Sequence, residues 1–263
     1  MRFEVLGPLQ VCGPKGSFSP SAPKMEVLLT ALLIRAGRLM SKEQLTVELW
    51  GESPPRRAAA SLHVYVSQLR KFLNSAAGTQ EGAAAAGCEL VTRAPGYLLH
   101  IGERGLDLHD FQEAAQRGRR QLRSGRHEAA VTSFEAALSL YRGPLIEGLG
   151  EGPAVTGMAT WVEQERLECL ELMVEACIAL GRHREMVNLL TSLTSRHPLR
   201  ETFYRQLMLV LYRSERRAEA LQVYRSARAV LRADLGLEPA QQLRDLHQAI
   251  LSSDQALDVP TAV

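Results

Sequence analysis

This chain of 263 residues is poor in aromatic side chains, which make up 5% of it, and it holds four cysteines. Cys12, Cys88, Cys169 and Cys177 form no CxxC pair and no cysteine–histidine spacing suited to zinc, so neither a metal site nor a disulfide framework is read. Cys169 and Cys177, eight residues apart on one side of an expected helix, are read as small buried apolar residues. The first ten residues lack a charged-then-apolar leader, and no apolar run approaches a membrane span. A reduced, cytoplasmic setting is the expectation. GxxxxGK(S/T), HExxH and GxSxG are absent too, as is a clustered acid pair in a pocket-forming context, so nothing recommends an enzyme and no cofactor is expected.

The most informative absence is local. From Ser53 to Thr79 there is no acidic residue, although the stretch holds Arg56, Arg57, Arg70 and Lys71. Ser53 is a candidate cap, and Pro54 and Pro55 fit a first helical turn, where their missing N–H groups cost nothing. From there Leu62, Val66, Leu69 and Leu73 recur at steps of four, three and four, one apolar stripe. The opposite side carries Arg57, Ser61, Val64, Tyr65, Gln68 and Lys71. Small polar groups outward with cations at both ends are what a helix in a DNA major groove requires, between two phosphate rows. An ordinary solvated helix with an accidental charge bias is the alternative, and the flanking sequence decides.

Net charge is only +2, so nothing global announces nucleic acid. The distribution says more. Residues 1–104 hold 12 Lys and Arg against 8 Glu and no Asp, giving +4; the remaining 19 cations and 21 anions give −2. A basic first part joined to an acidic second part suggests separate partners.

Arg2 to Val11 alternates loosely and meets Gly13-Pro14 and Gly16, which predicts a strand, a turn and a second short strand around Ser17 to Ser19. A mostly buried helix is expected from Lys24 to Arg35, with Gly37 placed to stop it. Ser41 with Gln44 is a capping-box pair opening a second helix through Leu45, Leu49 and Trp50. Trp50 is expected as a core anchor. After the basic helix, Asn74 to Gly87 is polar, alanine- and glycine-rich, and reads as a flexible insertion. Glu89–Arg93, a turn at Ala94-Pro95-Gly96 and Tyr97–Ile101 make a hairpin. Strands, three helices and a closing hairpin define a winged helix, whose third helix enters the major groove while the hairpin touches the adjoining backbone.

Beyond Gly105 the pattern is helical. Residues 109–124 and 127–141, 158–180 and 182–196, and 200–213 and 216–235 form pairs, with Pro239 opening a last helix to about Leu251. Gly181-Arg-His-Arg-Glu185 aligns with Glu215-Arg-Arg-Ala-Glu219 at an offset of 34 residues, the period of tetratricopeptide helix pairs, and Gly125-Arg-His127 is an earlier start of the same unit. Gly143 to Gly157 is then an insertion in that period. Stacked helix pairs bury their apolar faces against one another and leave an extended surface for another protein. The fold class expected is an α+β winged-helix domain at 1–104, an all-α tetratricopeptide-like domain at 105–254 and a tail at 255–263, mainly α overall. Trp161, Tyr141, Phe203, Tyr204, Tyr212 and Tyr224 are expected in the helical core, and His127, His183 and His197 as caps or surface residues.

Several short segments, in order and spacing, resemble the Streptomyces antibiotic regulatory proteins. They are Phe3-Glu-Val-Leu-Gly-Pro-Leu9, Leu49-Trp-Gly-Glu-Ser-Pro-Pro55, Tyr65-Val-Ser-Gln-Leu-Arg70, Arg93-Ala-Pro-Gly-Tyr97, Tyr141-Arg-Gly-Pro144, His197-Pro-Leu-Arg-Glu201, Gln206-Leu-Met208 and Asp234-Leu-Gly-Leu-Glu-Pro239. The likeness runs over almost the whole chain. It implies an OmpR-type winged helix followed by a bacterial transcriptional activation domain. It also implies a dimer on direct repeats of double-stranded DNA upstream of promoters, with RNA polymerase, including the sigma factor and the beta flap, as partner. The chain departs from the family pattern at Thr79 to Gly87 and at the glycine-rich Gly148 to Gly157.

Side chains pointing away from the apolar stripe, Ser61, Val64, Tyr65 and Gln68, are the base-contact candidates. Gln68 suits adenine, Val64 a thymine methyl and Ser61 either strand; Tyr65 has half-burial against the hairpin as its alternative. Lys24, Lys42, Arg56, Arg57, Arg70 and Lys71 are phosphate candidates, with Lys24 and Lys42 near helix starts whose N–H groups also attract phosphate. A solvated surface lysine is the plainer reading of Lys42. Thr92, Arg93 and Tyr97 are expected on the wing. By the resemblance, Glu52, in the loop Trp50–Pro54, is a polymerase contact. A protein-binding scaffold and a repressor are the competing functions.

Overall fold

The computed structural model describes residues 1–78, 82–85, 87–102, 105–144, 152–254 and 257. Contacts divide the chain into two compact units, one of residues 1–115 with 136–167 and one of residues 116–135 with 168–263.

In the first unit, the expected single strand from Arg2 is instead two. β1 (Arg2–Glu4) returns antiparallel as β2 (Gln10–Gly13), with Phe3 opposite Val11, and β3 (Gly16–Phe18) pairs with β2. The break sits at Gly7, whose φ of +142° suits glycine alone and where an added Cβ would come 2.9 Å from the Arg142 Cβ. Sequence alternation carries no trace of that long-range approach.

α1 (Pro23–Ile34) buries Met25 and the run from Val27 to Leu33. β4 (Met40–Ser41) leads into α2 (Lys42–Trp50) through the predicted capping box: Gln44 N–H donates to Ser41 Oγ at 3.2 Å, and Ser41 N–H to Gln44 Oε1 at 2.9 Å. α3 (Ala58–Ala77) starts later and ends later than expected. Ser53 caps nothing, and Pro54 and Pro55 lie in the preceding loop; the cap position is Arg57, whose side chain makes no capping bond. Leu62, Val66, Leu69 and Leu73 are all 2% exposed or less, so the predicted stripe is the inner face. α4 (Gly82–Ala85) falls in the stretch read as a flexible insertion, where Asn74 Oδ1 accepts the Ala83 N–H. β5 (Glu89–Arg93) and β6 (Gly96–His100) form the expected hairpin, and β6 also pairs with β4 in a sheet of order β4-β6-β5. Gly96 is required where β6 crosses β4, because a Cβ there would overlap the Met40 carbonyl. Helices and a hairpin wing on this plan make a winged helix.

The same unit extends past the wing. The first residue of α5 (Asp107–Arg123) is buried and accepts the N–H groups of Val5 and Leu6 at 2.9 and 3.1 Å. Burial raises its carboxyl above the usual range, against the pull of those two bonds and of Arg142. Phe3 N–H donates to the Gly105 carbonyl, and Arg142 N–H to the Leu6 carbonyl. Glu48 on α2, 4% exposed, accepts the N–H groups of Ala154 and Val155 at 2.8 and 3.3 Å, capping the start of α7 (Pro153–Ala179). Gly152 makes room for it, since a Cβ there would overlap the Glu48 carboxylate.

The second unit takes in residues of α5, of α6 (His127–Ser139) and of α7, then a 3₁₀ turn (His183–Met186), α8 (Val187–Arg196), α9 (Glu201–Arg213), α10 (Arg217–Leu235) and α11 (Gln241–Ser252). Three helix ends use one turn. At Gly125, Gly181 and Glu215, φ is +72°, +73° and +64°. In each, the residue's N–H bonds the carbonyl three back and the next N–H the carbonyl five back: Gly125 to Leu122 and Arg126 to Gln121, Gly181 to Ile178 and Arg182 to Cys177, Glu215 to Tyr212 and Arg216 to Leu211. The aligned positions found by repeat therefore share a backbone, and Glu215 takes the left-handed conformation without being glycine. Gly118 lets Phe134 lie against α5, where a Cβ would come 2.7 Å from the ring. Phe203 and Tyr204 are buried as expected, as are Cys169 and Cys177; Trp161, Tyr141, Tyr212 and Tyr224 are only half-buried. His127 and His183, read as caps or surface residues, hold equivalent repeat positions, and each has a buried Nδ1 without a partner. The tail from 255, apart from residue 257, lies outside the described residues, as do residues 148–151 of the Gly148 to Gly157 segment and residues 145–147 before it.

Candidate nucleic-acid interface

α3 presents three sides. Its stripe is inward. The opposite side carries Val64, 54% exposed, with Gln68 and Lys71 exposed and Ser61 half-exposed. Val64 is the one large apolar side chain of α3 that is exposed, so the outward face offers an apolar group among its polar ones. Arg56 and Arg57 are exposed in the turn that enters the helix, so cations precede the outward face.

One flank meets the α2 side. Tyr65 is half-buried with its ring centroid 6.2 Å from that of Trp50. Trp50 is itself half-buried, not a core anchor, and Tyr65 packs on it. Glu52 is exposed in the loop that follows.

The other flank meets the wing. Arg70 Nε and Nη2 donate to the Leu90 carbonyl at 3.0 and 2.9 Å, and Nη2 also to Thr92 Oγ1 at 2.7 Å. The guanidinium is therefore a strap from recognition helix to wing, with its donors largely committed inside the molecule. Thr92 and Arg93 are exposed at the tip of β5. Tyr97 is not on the wing surface: it is 1% exposed, because its register opposite Met40 turns the ring inward. Its hydroxyl lies 3.1 Å from His63 Nδ1, and the two rings meet edge to face. Burial raises the Tyr97 hydroxyl above its ordinary value, with Arg70 pulling the other way.

Two lysines differ. Lys24 Nζ donates to the Leu49 carbonyl at the carboxyl-terminal end of α2, which occupies one of its three N–H donors. Lys42, half-exposed, is the first residue of α2, and its N–H donates to the Pro95 carbonyl at 3.3 Å, so the wing turn sits at that helix start.

The structure thus brings together Ser61, Val64, Gln68 and Lys71 on one face, with Arg56 and Arg57 before it and Arg70, Thr92 and Arg93 at the wing. It turns Tyr97 inward. Sequence reasoning missed His63, exposed on the wing-side flank; the signal was its place beside the outward positions, seven residues before Arg70. Among the described residues no group of three metal-binding side chains occurs, and no helix is long and apolar enough to cross a membrane.

Comparison with known proteins agrees with this architecture. Residues 106–251 match the bacterial transcriptional activator domain, and residues 21–83 match the transcriptional regulatory protein, C terminal. The regulatory protein DnrI of Streptomyces peucetius is 33% identical over 258 residues, covering 98% of this chain and 94% of DnrI. The regulatory protein AfsR of Streptomyces griseus is 35% identical over 260 residues, covering 99% of this chain; the chain spans 25% of AfsR. The structure of Mycobacterium tuberculosis EmbR in complex with a low-affinity phosphopeptide superposes with a TM-score of 0.86 at 34% identity, over 96% of this chain and 65% of that one. A winged helix followed by an activator domain of stacked helices defines a class of two-part transcriptional regulators. The chain belongs to the Streptomyces antibiotic regulatory protein family.

Proposed function

We propose that this chain is a sequence-specific DNA-binding activator of an actinobacterial secondary-metabolite cluster, seated as a dimer on direct repeats near promoters. The observation that carries the reading is the outward face of α3, which is exposed, acid-free and flanked by cations. In the major groove, Gln68 pairs with adenine, Val64 meets a thymine methyl and Ser61 takes either strand, each good contact giving about 1–3 kcal/mol of discrimination. Arg56, Arg57 and Lys71 neutralise phosphates, as does Lys42 where the wing turn brings the backbone close. Thr92 and Arg93 reach the strand beside the wing. Tyr65, braced on Trp50, lends its edge to the groove.

Recruitment falls to the remainder. Glu52 is exposed in the loop between α2 and α3, where the family resemblance implies contact with RNA polymerase, and the helical stack supplies the surface for the sigma factor and the beta flap. No catalytic step is assigned to the chain, and its place of action is the cytoplasm.

Footprinting with the full-length chain on promoters neighbouring its gene tests the reading. Protected half-sites about 10–10.5 base pairs apart, or a multiple of that, are expected, lost in the Gln68→Ala, Lys71→Ala double variant. Absence of protection at any promoter, with binding to bulk DNA no different in that variant, overturns it.

A further inference from the structure

The wing-side flank of α3 holds a pair of side chains that neither base readout nor the cation set uses. Tyr97 is 1% exposed, and its hydroxyl, at the inner end of the recognition helix, has His63 Nδ1 at 3.1 Å. His63 is exposed, and Nδ1 is the ring nitrogen turned toward Tyr97, which leaves Nε2 uncommitted to that bond. Seven residues on, Arg70 lies on the same flank and is bonded to Leu90 and Thr92 of β5. When α3 fills a major groove and the hairpin touches the next stretch of backbone, the DNA strand between the two must pass this flank.

We propose that His63 is a phosphate-contacting residue held in one tautomer by Tyr97. The inference rests on the DNA-binding reading above. A buried tyrosine hydroxyl needs an acceptor for its proton, and His63 Nδ1 is the one within reach. If Oη–H donates to Nδ1, the imidazole proton sits on Nε2 and faces outward as a donor. The opposite tautomer turns a lone pair toward an anion and is repelled by it. The desolvated hydroxyl keeps its proton, which favours the first arrangement. A neutral imidazole then bonds a phosphate oxygen while adding no charge, so it contributes orientation and not counterion release. Tyr97 acts through His63 and is a positioning residue; the two form a fixed strut, unlike the flexible arginines beside them.

The test uses the full chain and a duplex that the wild type selects from random-sequence DNA. His63→Phe, Tyr97→Phe and His63→Gln are compared, each first checked for unchanged thermal unfolding. His63→Phe and Tyr97→Phe are each expected to bind about tenfold more weakly, the loss of one hydrogen bond to a charged oxygen, with the same slope of log K against log salt. His63→Gln, whose amide nitrogen reaches the place of Nε2, recovers most of the affinity. Neutral methylphosphonate is then placed at single positions along the strand. One position weakens the wild type about tenfold and leaves both Phe variants unaffected, a coupling that a purely structural role does not produce. If the wild type binds its duplex and the Phe variants match it, or every methylphosphonate affects all three alike, the inference fails while the DNA-binding reading stands. If no duplex is selected at all, both fail.

Discussion

Glu48→Ala separates the start of α7 from the helix that caps it. In the native chain the Glu48 carboxylate accepts two N–H groups, from Ala154 and Val155 at 2.8 and 3.3 Å, and is 4% exposed. Loss of a cap costs about 0.5–2 kcal/mol and loss of a hydrogen bond to a charged group about 1.5–3 kcal/mol. The shorter bond carries most of this, so the expected cost is on the order of 2–3 kcal/mol. Both tryptophans of the chain, Trp50 and Trp161, belong to the unit that holds this clamp, so intrinsic fluorescence during urea unfolding reports on it. With a slope of about 2 kcal/mol per molar, the midpoint falls by about 1 M. Gly152→Ala attacks the same clamp from the other side, since its Cβ takes the space of the carboxylate. The double variant therefore costs less than the sum of the two. A midpoint lowered by less than about 0.2 M, or strictly additive costs, refutes the account of Glu48 as the cap that holds α7 in place.

Two further perturbations address other joints. Arg70→Ala removes all of the guanidinium bonds to Leu90 and Thr92 and is expected to speed amide hydrogen exchange in β5 about tenfold. Arg70→Lys recovers less than half of that protection, because an ammonium cannot span both acceptors; unchanged exchange in the alanine variant counts against the strap. Asp107 has its carboxyl raised by burial, so the folded chain holds that proton more tightly than the unfolded chain. Its contribution to stability is fully present below the unfolded value and is lost as pH rises through the folded one. Measured by urea unfolding against the non-titrating Asp107→Asn, the stability of the native chain should decline as pH rises across the carboxylate range. A flat or rising difference removes that account.

What the sequence made legible was local. The capping box at Ser41 and Gln44 and the stripe from Leu62 to Leu73 depend on neighbours three or four residues apart, and the structure has both. The repeat between Gly181 and Glu215 survived as a shared backbone turn although the residues differ, because the hydrogen-bond pattern and not the side chain defines it. Readings that depended on distant partners went astray. Ser53 and its prolines look like a helix start, yet the chain first turns at Arg56 and Arg57 and the helix opens only at Ala58. Tyr97 follows a turn and looks like a wing-tip residue until its register against Met40 turns it inward. The bond from Lys24 to the Leu49 carbonyl, 25 residues away, was equally invisible in the sequence. Nothing in the alternation near Gly7 announces Arg142. For the candidate interface, the outward face of α3 was readable from periodicity, whereas the flank with His63 required the fold.

The Glu48 clamp also bears on how the molecule matures. During synthesis the wing leaves the ribosome well before Ala154 and Val155 do, and until they arrive an anionic side chain destined for the interior has no N–H groups to receive. A chain cut just past the hairpin lacks Ala154 and Val155, so Glu48 keeps its place on α2 without the two N–H groups it accepts in the complete unit. Expression of this region alone is best carried through Leu167, where the compact unit itself closes.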